Sequence, residues 1–158
     1  MMLELFQWLG KMPLGVFMQR SSYAFPVAEM AHLLSLCILG GAILIVNLRL
    51  LGLGVTSQSA GQLAQELKRY LIAALIGSIV SGVLLVAGEP LKCYDNSAFR
   101  LKMLLLALAI FFYFAIQQRL LKLTWETPGR AFLLKCVGVF SMLLWLSVGL
   151  AGRAIGII

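Results

Sequence analysis

Long apolar stretches and short polar links alternate along the chain. The apolar stretches cover about 27–53, 68–88, 98–121 and 131–155, each long enough to cross the hydrocarbon core of a bilayer as a helix. The links read TSQSAG (Thr56–Gly61), EPLKCYDNS (Glu89–Ser97) and TWETPGR (Thr124–Arg130), and their Pro, Gly and Asx turn residues interrupt the helical pattern. Pro26 stands where the first long helix begins. Ahead of it, residues 3–19 mix Phe6, Trp8 and Phe17 with Glu4 and Lys11 and are broken by Pro13. That segment is too short to span, and no small-residue cleavage site follows a long apolar core, so a signal peptide is not expected. The expectation for residues 1–25 is an amphipathic element lying in the interface. The pattern therefore predicts an all-α fold: one integral membrane domain over 1–158, a four-transmembrane-helix up-down bundle with an N-terminal interfacial segment.

Short links make neighbouring helices antiparallel, so alternate ends share one membrane side. Glu29, His32, Glu89, Cys93, Tyr94, Asp95, Asn96, Arg100, Lys102 and Arg153 are thereby assigned to one end of the bundle. Arg49, Lys68, Arg69, Arg119, Lys122, Arg130 and Lys135 fall at the other, with only Glu66 and Glu126 against them. Seven Lys and Arg here against six at the first end favours a cytoplasmic position for the seven and a periplasmic His32 end. The second apolar stretch carries two small-residue ladders, Ala73/Gly77/Ser81 and Ala74/Ser78/Gly82, at the spacing that lets another backbone approach. They predict a crowded central helix and a homo-oligomer, and Gly152 and Gly156 form a GxxxG pair that points to close helix contact at the end of the fourth stretch.

Composition supports the membrane reading. At 61% hydrophobic, 12% charged and a mean hydropathy of +0.98, the chain has too little polar surface to cover a water-soluble globule. The net charge of +7 comes from Lys and Arg scattered between apolar runs, which argues for lipid headgroups and against nucleic acid. Cys37, Cys93 and Cys136 have neither C-x-x-C nor C-x-x-C-H spacing. Nucleotide-binding loops, nucleophile elbows and H-E-x-x-H are all absent from the sequence.

The chemistry concentrates on the single histidine. An ionisable side chain at membrane depth needs a partner or a ligand. In one reading His32 is a neutral imidazole gluing two helices; in the other it ligates a metal or haem or relays a proton, with Glu29, one turn earlier, orienting the ring. A b-type haem would take His32 as axial ligand, the ladders as slot, Trp145 as packing surface and Arg100, Lys102 or Arg153 as propionate partners. A copper site would draw on His32, Glu29, Cys93 and Met30. Glu29-x-x-His32 also has the i, i+3 spacing of di-metal bundles, which would need a second copy of the motif.

The pieces E-x-x-H-L-L, NLRLLGLG, the Glu89–Lys102 link and Trp145-x-x-x-Gly149-x-x-x-Arg153 resemble an uncharacterised family of small bacterial four-helix membrane proteins. More distantly, four helices with a histidine near one face are similar to b-type cytochrome and copper-resistance membrane domains. That likeness implies an inner-membrane redox-centre protein with haem b, or copper, at His32, working with a redox partner protein or quinone. A non-catalytic membrane subunit, docking a partner through Glu29, His32 and Glu89–Asn96, is the second expectation.

Overall fold

The computed structural model describes residues 2–54, 57–122 and 128–155. They form α1 (Met2–Lys11), α2 (Pro13–Arg20), α3 (Ala24–Leu50), α4 (Ala60–Gly88), α5 (Pro90–Asp95), α6 (Ser97–Phe111), a π-helical turn (Phe112–Gln117), α7 (Gln118–Lys122) and α8 (Pro128–Ala154). Helix α6, the π turn and α7 run on as one span, Ser97–Lys122. With α3, α4 and Ala131–Ala154 of α8 it makes four helices of 24–29 residues, long and apolar enough to cross a membrane.

The ends of these helices follow from capping chemistry. Helix α3 starts at Ala24, three residues ahead of the expected start, because Pro26 is tolerated in a first turn that needs no N–H from it. It stops where Gly52 and Gly54 take positive φ, +84° and +78°. Helix α4 begins at Ala60 rather than near Lys68. Ser59 and Gln62 form a reciprocal capping box, with Gln62 N donating to Ser59 Oγ (3.2 Å) and Ser59 N to Gln62 Oε1 (3.1 Å). Residues 60–67, ahead of the expected helix start, are thus two helical turns. In the Glu89–Ser97 link, Pro90 opens the short helix α5, and buried Asn96 caps α6 by accepting from Ala98 N and Phe99 N. Thr56, most of the Thr124–Arg130 link including Glu126, and Gly156 lie outside the described residues.

Helix α3 packs on α4 and α8, and α6 packs on α8. The third span changes partner along its length: α6 lies on α8, while α7, past the π turn, reaches α4. Toward the His32 end α4 and α6 are not packed on each other. Lipid tails are as apolar as the helices, so close backbone approach and interhelical hydrogen bonds, rather than water exclusion, hold such a bundle. The glycines show where that approach occurs. A Cβ at Gly77 would fall 2.7 Å from Ser35 Oγ, and one at Gly138 3.3 Å from the Asn47 carbonyl. Both ladders of α4 turn largely inward: Ala74, Ser78 and Ser81 are buried and Gly82 meets the His32 ring, while Ala73 is exposed. Leu39, Ala42, Ile43, Leu71, Ala74 and Tyr113 form the core, and exposed Leu33, Ile38, Ile76, Val80, Leu104 and Leu143 face outward.

The short helices close the His32 end. Phe6 of α1 meets Tyr94 and Phe99 edge-on at 5.7 and 6.2 Å. Gln19 of α2 donates to the Gly10 and Ala87 carbonyls, tying α1 and α2 to the last turn of α4. Asn96 donates to the Ile155 carbonyl at 3.3 Å, so the α5–α6 junction meets the end of α8.

Candidate functional site

His32 lies eight residues into α3, roughly 12 Å along the axis at ~1.5 Å per residue. It is half-buried, with Gly82 of α4 against its Cε1 edge. Its Nδ1 is 2.9 Å from Ser81 Oγ. Ser81 has a single hydroxyl proton, and the 2.6 Å contact to the Gly77 carbonyl takes it. In the His32–Ser81 bond the imidazole must therefore donate, which puts the proton of the neutral ring on Nδ1. The Ser78 carbonyl also lies within hydrogen-bonding range of the imidazole, and no described side chain donates to Nε2.

The other expected residues divide into those near this ring and those turned away. Lys102 of α6 is half-buried and within electrostatic range of His32. Its stem crosses Gly152 of α8, where a Cβ would sit 3.4 Å from Cε and 3.5 Å from Nζ. Among the described residues it has no ion-pair or hydrogen-bond partner. Cys93 is half-buried within range of both Lys102 and Glu89. Burial, and then the Glu89 carboxylate, pushes its thiol pKa up, with Lys92 and Lys102 opposing.

Glu29 is exposed and makes no hydrogen bond to His32; Ser81 holds the ring in its place. Met30 is 70% exposed and points away from the His32 side of α3. Arg100 donates to the Tyr94 carbonyl (3.0 Å) with its guanidinium over the Tyr94 ring, and Arg153 is exposed. Trp145 packs on the core around Leu39, about two helical turns from His32. Among the described residues no three His, Cys, Asp or Glu side chains gather as a metal cluster.

A second polar group lies deeper, toward the other end of the bundle. Asn47, Gln117 and Ser141 are all fully buried. Gln117 Nε2 donates to Asn47 Oδ1 at 2.9 Å, and Asn47 Nδ2 donates to Ser141 Oγ at 3.1 Å, linking three spans. Gln117 Oε1 has no partner. Turning both amides over reverses each bond and moves the orphan to Nε2, so one unpaired atom of Gln117 remains in either assignment. The π turn places Tyr113 and Gln117 inward together, and Tyr113 OH accepts from Gln118 Nε2 at 2.8 Å.

Fold and site together define an all-helical, four-span integral membrane protein with one imidazole set between helices at one end. Over residues 5–158 the chain matches the model of a family of unknown function, DUF6644, and it belongs to that family. No curated protein and no solved structure gives a significant match.

Proposed function

We propose that the protein is a membrane-embedded redox-centre protein that holds haem b through Nε2 of His32, for electron transfer or redox sensing. The tautomer supports this reading: a ring anchored by its Nδ1–H to a neighbouring hydroxyl presents Nε2 as a ligand in a fixed direction, the arrangement usual for metal-bound histidine. Lys102, a half-buried cation with no carboxylate partner among the described residues, suits a haem propionate. Arg100, engaged with Tyr94, and exposed Arg153 are less well placed. Copper fits less well, since Met30 and Glu29 are exposed and Glu29 makes no hydrogen bond to His32. Haem bound here would supply one-electron chemistry; the chain supplies the ligand, its orientation and a charge partner.

An absorption spectrum of protein purified from cells supplied with iron and haem precursor tests the reading. A Soret band with visible bands that shift on dithionite reduction is the expected result; a colourless protein from such cells overturns it. Metal content without a Soret band would transfer the assignment to copper.

We place the protein in the cytoplasmic membrane with the His32 end outside, on the seven-to-six excess of Lys and Arg at the opposite end. Cys93 reports on this. A membrane-impermeant maleimide should label it from the periplasmic side, slowly at neutral pH and faster above pH ~8.5, because the raised pKa keeps the thiolate scarce. Labelling from the cytoplasmic side alone reverses the orientation.

A further inference from the structure

A groove of about 450 Å³ opens on the flank of the bundle between α2, α3 and α4, within the ~300–1,000 Å³ range of small-molecule sites. Phe17, Val27 and Val80 stand at its rim, all more than half exposed, so its mouth faces the bilayer. Ser35 and Ser81 line its inner wall. The walls are otherwise apolar, and the two hydroxyls are in different states. Ser81 spends its proton on the Gly77 carbonyl and one lone pair on His32, and keeps one lone pair to accept with. Ser78, Ser81 and Ser147 all return their hydroxyls to carbonyls of their own helices. Ser35 does not: its hydroxyl makes no hydrogen bond to any described residue. A free hydroxyl at membrane depth has no water to satisfy it, which favours an occupant that brings an acceptor.

We propose that this groove binds the head group of an isoprenoid quinone. Such a molecule is delivered by the bilayer, its ring and tail match the apolar walls, and its ring oxygen accepts from Ser35. In the reduced form its hydroxyl can also donate to Ser81. An acyl chain would fill the same space and leave Ser35 unsatisfied. Ser81 belongs to both sites, lining the groove and fixing the His32 ring, so an occupant of the groove lies one hydrogen bond from the imidazole. The role of the quinone as electron partner rests on the redox-centre reading; its binding does not.

The test uses purified full-length protein prepared without haem, a decyl-substituted benzoquinone, and decylbenzene as an analogue without ring oxygens, with binding followed by tryptophan fluorescence quenching or thermal shift. Saturable quinone binding at least tenfold tighter than that of decylbenzene is expected. Val80→Trp, which plugs the mouth from an exposed position, should abolish it, and Ser35→Ala should weaken quinone binding several-fold while leaving decylbenzene unchanged. Equal binding of both probes, or quinone binding indifferent to Ser35→Ala and Val80→Trp, overturns the proposal and leaves a groove for acyl chains. A Soret band in haem-loaded protein that binds no quinone would sink this inference alone; quinone binding by a protein that never takes up haem would sink only the redox-centre reading.

Discussion

His32→Ala protein, purified from the same cells as the wild type, is expected to lose the Soret band completely while keeping its helical content and its size in detergent. If haem is held as proposed, the imidazole is the donor that the described residues offer, so its removal would delete the iron–nitrogen bond rather than weaken it. The bundle loses one interhelical hydrogen bond, to Ser81, worth about 0.6–2 kcal/mol in a membrane, and survives. Free imidazole should restore part of the spectrum by entering the space vacated. Ser81→Ala is the subtler member of the pair. It leaves the ligand and removes the acceptor that fixes the ring, and loss of such a partner typically lowers metal affinity about 10–100-fold. A Soret band retained in His32→Ala would show that the haem has another ligand.

A large effect on stability is expected at Asn47. Leucine there removes both hydrogen bonds that connect α3 with the π turn and with α8, and strands the Gln117 amide beside an apolar side chain. Two lost membrane hydrogen bonds and one newly unpaired buried donor together give a destabilisation of about 2 kcal/mol. Gln117→Leu is expected to cost less, because the side chain it removes already carries an unpaired oxygen. Unfolding in mixed micelles, followed by circular dichroism, gives the order. If Gln117→Leu proved the more damaging, Gln117 Oε1 would have a partner beyond Asn47 and Ser141.

Much of the architecture was legible because the apolar runs are long and the links short: four spans, their antiparallel order and the gathering of His32, Cys93, Asn96 and Lys102 at one end all follow from counting. The misplaced start of α4 has a local cause, since Gln62, Gln65 and Glu66 delay the apolar run to about Lys68 while the Ser59–Gln62 box starts the helix at Ala60. The site was legible only as far as the histidine. Glu29 was the natural partner by spacing along one helix, whereas the actual partner, Ser81, lies 49 residues away on another. It was in view as a rung of a small-residue ladder, and its size drew attention away from its hydroxyl. The Asn47–Gln117–Ser141 group was hidden for a further reason. Its assembly depends on a π turn, and Phe112–Gln117 (FYFAIQ) carries no Pro or Gly to announce one.

That turn amounts to one residue too many in an otherwise α-helical span. An extra residue rotates everything after it by about 100° relative to everything before. The two halves of the span are therefore out of phase, which is why α6 faces α8 and α7 faces α4. Taking one residue such as Ala115 out would straighten the span into one continuous stripe and swing Gln118 and Leu121 away from α4. The separation of α4 from α6, the helices that carry Ser81 and Lys102, is thus tied to a π turn about ten residues past Lys102.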